Sequence, residues 1–191
     1  MTNFDLKGTN LYLIGMMGAG KSSTGALLAK QLGYQFLDTD TLIEKAVGMT
    51  ISELFATQGE ESFRQMETQV LSQLSAYTRL VVATGGGIVT QQMNWSYLQH
   101  GVVVWLDVPL DLLQQRLQGD TQRPLLQQED WPQTLQKLLE QREPLYAQAD
   151  LRVTVAPGED EAAIATRTLE LLQARIEADQ QSRPHPDTPA S

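Results

Sequence analysis

Residues 15–22 read Gly-Met-Met-Gly-Ala-Gly-Lys-Ser, which matches the phosphate-binding pattern G-x-x-x-x-G-K-[ST]. The glycines allow backbone N–H groups to wrap a phosphate closely. Lys21 can neutralise the β and γ oxygens of a triphosphate, and the Ser22 hydroxyl can hold Mg²⁺. The alternative is a glycine-rich turn that only joins a strand to a helix. The pattern directly follows a β-rich run and leads into a predicted helix, and this position favours a nucleotide site.

Two carboxylates, Asp38 and Asp40, follow a short β-rich run at residues 35–37. Ligands of open parallel sheets bind at the carboxyl ends of the strands. Residues two apart point to the same side of an extended strand, so we expect both carboxylates in one cleft, one nearer a metal and one nearer an acceptor. A carboxylate there can accept the proton of an attacking hydroxyl. The alternative for Asp40 is an N-cap of the following helix.

Arg64 precedes Glu67 by three residues, off the apolar face that Phe63 and Met66 define. An arginine at this place can bind a carboxylate through two hydrogen bonds, with Glu67 holding the guanidinium in position. The alternative is a surface ion pair of small energy, and without other context the residues favour it.

Three glycines, residues 85–87, follow the β-rich run Leu80–Ala83 and Thr84. Consecutive glycines cost conformational entropy, which indicates that the backbone here must approach a ligand closely. They leave no aspartate at this strand end to hold Mg²⁺, as a motor ATPase or a GTPase would have. We therefore expect Asp38 to help hold the metal.

Short β-rich runs alternate with longer amphipathic stretches, which predicts an α/β fold with a parallel sheet covered by helices. The five predicted strands are residues 11–14, 35–37, 80–83, 102–106 and 151–155. The predicted helices are residues 20–33, 42–47, 51–57, 60–75, 110–117, 132–147 and 160–178. Capping boxes at Thr41-x-x-Glu44 and Thr50-x-x-Glu53 are expected to begin the second and third helices.

The polar segment 118–131 contains two aspartates, a glycine and a proline, and we expect it to be a mobile loop. The last residues, 179–191, contain three prolines and no large apolar side chain, which predicts a disordered tail. Residues 1–178 are then expected to form a single domain.

The composition excludes several classes of protein. The 191 residues include no cysteine and two histidines, and their net charge is −9. Thiolate nucleophiles and most transition-metal sites are therefore excluded, and a nucleic-acid or anionic-membrane surface is disfavoured. No targeting signal is visible and no apolar run approaches the ~20 residues that span a membrane, so we expect a cytoplasmic protein.

Six motifs in order resemble those of the shikimate kinase family, which has the nucleoside-monophosphate-kinase-like P-loop fold. They are residues 15–22, residues 36–40, Phe63-Arg64-x-x-Glu67, residues 84–87, residues 123–126 (Arg-Pro-Leu-Leu) and Arg142-x-x-Leu145-Tyr146. The resemblance extends from about residue 10 to residue 178. It implies a three-layer fold with a five-stranded parallel sheet, a helical substrate-binding segment at about 39–68 and a mobile lid at about 118–131.

The reaction implied by this resemblance is transfer of the γ-phosphoryl group of ATP to the 3-hydroxyl of shikimate, in aromatic amino acid biosynthesis, by a monomer that uses Mg²⁺. Asp40 is then the base. Ser22 holds the metal, and Asp38 holds it through water. The implied ATP contacts are Gly18, Ala19, Gly20, Lys21, Ser22, Ser23, Arg116, Arg123 and Pro157.

On the acceptor side, the resemblance implies that Arg64 and Arg142 grip the shikimate carboxylate. Glu67 orients Arg64, while Gly86 and Gly87 line the pocket. Arg123 matches the lid arginine that reaches the phosphates after closure, and with Lys21 it completes the catalytic set.

Two other functions are compatible with the phosphate-binding loop. A different small-molecule kinase of the same fold, such as a gluconate kinase, would need another acceptor pocket, and Arg64, Arg142 and the triple glycine favour shikimate. A nucleotide-binding module without phosphoryl transfer would need neither Asp40 nor Arg123. In isolation, Arg123 and Arg142 are each interpreted more simply as surface arginines.

Overall fold

The computed structural model describes residues 6–120, 126 and 129–181. Its strands are β1 (Leu11–Ile14), β2 (Gln35–Asp38), β3 (Leu80–Ala83), β4 (Val102–Asp107) and β5 (Leu151–Thr154). They form one sheet in the order β2-β3-β1-β4-β5, and every neighbouring pair is parallel. The predicted α/β fold with a five-stranded parallel sheet is confirmed.

Seven α-helices flank the sheet in the described part of the chain. They are α1 (Lys21–Leu32), α2 (Thr39–Val47), α3 (Ile51–Leu74), α4 (Gln92–Leu98), α5 (Leu110–Leu117), α6 (Trp131–Tyr146) and α7 (Glu161–Gln181). A short 3₁₀ turn, Ile88–Thr90, precedes α4. The strands β1 and β3 are apolar and buried along their whole length, as expected of central strands covered by helices on both faces.

The strand register brings three chemistry-bearing segments to one edge of the sheet. Ala83, the last residue of β3, pairs with Leu13 of β1 on one side and with Asp38 of β2 on the other. Because parallel strands end at the same edge, the chain segments that follow these three strands emerge side by side. These segments are the predicted phosphate-binding loop, the turn that leads from Asp38 to Asp40, and the triple glycine.

The helix boundaries differ from the prediction at two points of α2 and α3. The helix α2 begins at Thr39, so the capping box predicted at Thr41 is wrong, whereas the box of Thr50 with Glu53 is present in full. Gly59 has φ 81° and ψ 171° and kinks α3, so the two helices predicted around it follow each other without a loop. The short helix α4 was not predicted from the sequence.

Two predicted segments fall partly outside the described residues. The helix α6 begins at Trp131 with Pro132 in its first turn, but half of the segment 118–131, Arg123 included, is not described. The helix α7 continues to Gln181, three residues into the predicted tail, and the remaining tail is not described. Within the described chain, every helix is too short or too polar to cross a membrane.

The helix α1 packs closely on the sheet at Gly25. A Cβ at this position would lie 2.7 Å from Phe36 Cε2 and 3.1 Å from Leu13 Cδ1. We expect Gly25→Ala to lower the free energy of unfolding by about 1–3 kcal/mol through overpacking, although alanine is the better helix former. Urea unfolding measures the effect, with Gln31→Ala on the exposed side of α1 as the control. A variant more stable than the wild type would contradict this packing.

Candidate active site

The loop between β1 and α1 has the backbone of a phosphate cradle. Gly15, Gly18 and Gly20 have φ values of 138°, 76° and 87°, which side-chain-bearing residues rarely adopt. At Gly15 a Cβ would also lie 2.6 Å from the carbonyl oxygen of Leu106. The glycines of the motif are therefore needed for conformation and for space, and the loop delivers Lys21 to the first position of α1.

The cation of this loop, Lys21, is almost buried, with 9% of its surface exposed. Its Nζ donates hydrogen bonds to the carbonyl oxygens of Gly15 and Met16, both at 2.8 Å. These bonds hold the ammonium group over the loop, where a bound phosphate would meet it. The next residue, Ser22, donates its hydroxyl proton to Asp38 Oδ2 at 2.5 Å. A hydroxyl and a carboxylate oxygen thus lie together beside the cradle.

The two aspartates lie in one cleft, but for a different reason from the predicted one. The strand β2 ends at Asp38, whose Oδ1 accepts hydrogen bonds from the backbone N–H groups of Asp40 at 3.0 Å and Thr41 at 3.2 Å. The N-cap of α2 is therefore Asp38, and the interpretation of Asp40 as that cap is wrong. Asp40 lies in the first turn of α2, so strand alternation does not set its direction.

Two cavities meet at Asp40. The first, of about 370 Å³, borders the phosphate-binding loop and is also lined by Asp38, Arg116 and Asp120. The second, of about 410 Å³, lies between α3, the triple glycine and α6. Met17, Asp40 and Gly86 line both cavities. We call the first the nucleotide cavity and the second the acceptor cavity; Asp40 stands at their junction.

The acceptor cavity has two arginines and one fully buried carboxylate. Arg64 Nη1 donates to Glu67 Oε2 at 2.5 Å, and the Glu67 side chain is 0% exposed. The alternative of a weak surface ion pair is therefore wrong. Arg142 is 9% exposed and lines the same cavity, so its interpretation as a helix-surface charge is also wrong.

The pKa of Glu67 is raised to about 7, chiefly by burial and to a smaller extent by the nearby Asp40 carboxylate, against the opposing effects of the Arg64 ion pair and hydrogen bond and of the charge of Arg142. Its other oxygen, Oε1, has no hydrogen-bond partner among the described residues. Loss of hydration thus outweighs the ion pair. Keeping this carboxylate ionised in the folded protein therefore costs free energy.

The triple glycine makes room for these side chains. A Cβ on Gly85 would overlap Glu67 Oε1 and lie 2.9 Å from Asp40 Oδ1, and a Cβ on Gly87 would overlap the Arg64 guanidinium. None of the three has the left-handed φ that marks the loop glycines. What approaches the backbone in this structure is the side chains of α2 and α3, and the predicted close approach to a ligand stays a prediction.

The last turn of α6 anchors the acceptor cavity to the sheet. The Tyr146 hydroxyl donates to the carbonyl oxygen of Gly86 at 2.5 Å, and the ring stacks on Trp105 at 5.9 Å between centroids. Burial raises the pKa of Tyr146 to about 12, although Arg142 opposes the rise. The phenol therefore stays protonated and remains a donor across the physiological range.

Three of the predicted ATP contacts, Arg116, Pro157 and Ser23, have different surroundings in the structure. Arg116 lines the nucleotide cavity and donates through Nη1 to the carbonyl oxygens of Gly18 at 3.3 Å and Ala19 at 3.4 Å. Pro157 lies in the exposed turn after β5, and its contact with the nucleotide stays a prediction. Ser23 is exposed and lines the nucleotide cavity, whereas Arg123 lies outside the described residues.

Several residues of the site were not predicted from the sequence. Glu60 forms a second ion pair with Arg64, and the Thr39 hydroxyl accepts a hydrogen bond from the backbone N–H of Gly85 at 3.0 Å. The acceptor cavity also has an apolar wall made by Met17, Ile51, Phe55, Phe63 and Leu138. The four-residue spacing of Leu138 and Arg142 could have indicated a shared helix face.

Comparisons with known proteins agree with this geometry. The family model described as shikimate kinase matches residues 17–185. A shikimate kinase of Nostoc punctiforme is 58% identical over 167 residues, 87% of this chain and 92% of its own length. One from Synechococcus elongatus is 52% identical over 179 residues, 94% of each chain. The structure of an Acinetobacter baumannii shikimate kinase in complex with shikimate matches with a TM-score of 0.82 at 44% identity, covering 87% of this chain and 94% of that one.

The raised pKa of Glu67 predicts a pH dependence of stability. Between pH 4.5 and about 7 the folded state binds the Glu67 proton more tightly than the unfolded chain, so the Glu67 contribution to stability falls as the pH rises. Glu67→Gln removes this titration. The free energy of unfolding of the variant minus that of the wild type should therefore increase with pH, by up to about 1.4 kcal/mol per pH unit.

Urea unfolding at pH 5, 6 and 7 measures this difference. Glu61→Gln, at an exposed position of the same helix, gives the effect of losing one surface carboxylate. A difference between Glu67→Gln and the wild type that stays constant or decreases from pH 5 to 7 would show that Glu67 is already ionised at the lower pH.

Proposed function

The chain belongs to the shikimate kinase family, and from this premise we propose which of its residues carry the transfer of the γ-phosphoryl group of ATP to the 3-hydroxyl of shikimate. The observation that carries the proposal is the position of Asp40 where the nucleotide and acceptor cavities meet. A group at this junction can reach a hydroxyl that faces a triphosphate. The products are shikimate 3-phosphate and ADP.

We assign the nucleotide to the cavity beside the phosphate-binding loop. The loop N–H groups and the amino end of α1 face the phosphates, and Lys21 balances the charge of the β and γ oxygens. Gly18, Ala19, Gly20, Ser22 and Ser23 supply the remaining loop contacts. We propose that Arg116 and Pro157 lie against adenine and that Arg123 reaches the phosphates from the lid.

The residues beside the loop suit Mg²⁺. Ser22 Oγ and Asp38 Oδ2 are hard oxygen ligands 2.5 Å apart, and the described residues contain no group of three or more acidic or histidine side chains placed to enclose a metal. Mg²⁺ commonly keeps several waters and takes one or two protein ligands together with substrate phosphates. We propose that Ser22 ligates the ion and Asp38 holds it through water. When bound, the ion neutralises charge on the β and γ oxygens.

The acceptor cavity is assigned to shikimate. The shikimate carboxylate fits the guanidinium groups of Arg64, which is partly buried, and Arg142, which is buried. The shikimate ring fits the apolar wall, and Gly86 and Gly87 line the floor. This orients the 3-hydroxyl towards Asp40. The hydroxyl oxygen then attacks the γ-phosphorus as the bond to the ADP oxygen breaks, and Asp40 accepts the hydroxyl proton.

We further propose that the enzyme acts as a monomer in the cytoplasm. The phosphate-binding loop, Asp40 and the triple glycine of a single chain line the two cavities. Sedimentation velocity of the purified protein, with and without both substrates, measures the oligomeric state directly.

A coupled assay of ADP release tests the base and the acceptor together. Wild-type protein should turn over shikimate and not gluconate, and Asp40→Asn should lower kcat by roughly 10²–10⁴ while ATP binding is nearly unchanged, because the proton acceptor is lost. Asp111→Asn on the exposed side of α5 is the control. If Asp40→Asn keeps more than half of the wild-type turnover, the aspartate is only a binding contact.

The two arginines of the acceptor cavity should determine shikimate affinity. We expect Arg64→Ala or Arg142→Ala to weaken shikimate binding by about 2–4 kcal/mol, because a charge-assisted contact with the carboxylate is lost inside a buried site. Titration calorimetry measures this, with Arg175→Ala on the remote helix α7 as the control. Unchanged affinity in both cavity variants would place the shikimate carboxylate elsewhere.

A further inference from the structure

Two carboxylates of very different exposure hold the guanidinium of Arg64. Nη1 donates to Glu67 Oε2 at 2.5 Å, whereas Nη2 and Nε donate to Glu60 Oε1 at 2.9 and 3.3 Å. The Glu67 side chain is 0% exposed and the Glu60 side chain is 64% exposed. Glu67 is thus fixed inside the protein, while Glu60 can exchange its contact for water.

Glu60 occupies the edge of Arg64 that is best suited to bind a carboxylate. The Nε–H and one Nη–H of a guanidinium are parallel donors, and two such bonds give the strong bidentate contact with a carboxylate. Glu67 already takes Nη1. A carboxylate that enters the acceptor cavity and binds the Nε–Nη2 edge must therefore replace Glu60.

The surroundings of Glu60 leave it space to be replaced. It directly follows Gly59, whose backbone breaks the helical path of α3. It lines both the acceptor cavity and an open groove of about 780 Å³ on the outer side of Arg64, which Gln65, Thr68 and Gln91 also border. A carboxylate released from Arg64 can turn into this groove and become hydrated.

We propose that Glu60 is an affinity-setting residue of the acceptor site: its carboxylate occupies Arg64 in the empty enzyme, and the carboxylate of the substrate binds by replacing it. The inference rests on the proposed assignment of shikimate to this cavity. The apparent dissociation constant is then the intrinsic one divided by the fraction of molecules in which Glu60 has released this edge. Small carboxylates that lack the other contacts of shikimate are kept from occupying Arg64 by the same competition.

The test compares Glu60→Gln with Glu61→Gln, its exposed neighbour, which lines the outer groove but not the acceptor cavity. Both variants lose one negative charge, so the general electrostatic effect is matched. Calorimetric titration with shikimate should give a dissociation constant for Glu60→Gln about two- to fivefold lower than that for Glu61→Gln, the effect expected of one exposed ion pair. In steady-state kinetics, KM for shikimate should fall by the same factor and KM for ATP should not.

A neutral ligand separates competition from a change in pocket shape. The methyl ester of shikimate lacks the charge that must replace Glu60, so as a competitive inhibitor it should bind the two variants equally. Glu60→Ala is a second variant, because the glutamine side chain of Glu60→Gln can still accept a hydrogen bond from Arg64. The inference would be overturned if both Glu60→Gln and Glu60→Ala bound shikimate no more tightly than Glu61→Gln does. Wild-type protein that binds no shikimate would contradict the proposed function instead.

Discussion

The acceptor site depends on the burial of one carboxylate, that of Glu67. A carboxylate without exposed surface needs a cation beside it, and Arg64 supplies that cation from the same helix. The pair also needs space, and only glycine at positions 85 and 87 leaves it, because a Cβ at either position would overlap one of the two side chains. The triple glycine, the ion pair and the placement of α3 against the sheet therefore form one unit, in which no member can be exchanged without disturbing the others.

The overall charge of the protein is opposite to what its two anionic substrates would favour. The net charge is −9, yet the two cavities contain Lys21, Arg116, Arg64 and Arg142. Recognition is possible because electrostatic interactions are strong where water is excluded and weak at the hydrated surface, where most of the acidic residues lie. Under the proposed assignment of the two cavities, a few enclosed guanidinium and ammonium groups decide the binding of ATP and shikimate.

Features set by short stretches of sequence were predictable, and features set by packing were not. The loop at residues 15–22 needs three left-handed glycines, a local requirement that the sequence displays directly. The direction of the Asp40 side chain depends on where β2 ends. The prediction assumed an extended chain as far as Asp40, but Asp38 caps α2, so the extended chain ends two residues earlier. The burial of Glu67 could not be recognised, because an i, i+3 pair in a helix looks the same whether it faces water or, as here, the glycines of a neighbouring strand end.

The separation of the two cavities is set by backbone rather than by side chains. A Cβ on Gly86 would lie 3.3 Å from the backbone nitrogen of Met17 and 3.4 Å from the carbonyl oxygen of Gly15, so the triple glycine packs directly on the phosphate-binding loop. The Gly86 carbonyl is held in turn by Tyr146, whose ring is fully buried against Trp105. Because main-chain atoms joined in this way have no rotamers to adopt, the floor of the acceptor cavity and the cradle of the phosphates behave as one rigid surface. In-line transfer requires such a surface, since a small displacement of the acceptor hydroxyl from the γ-phosphorus costs much of the rate.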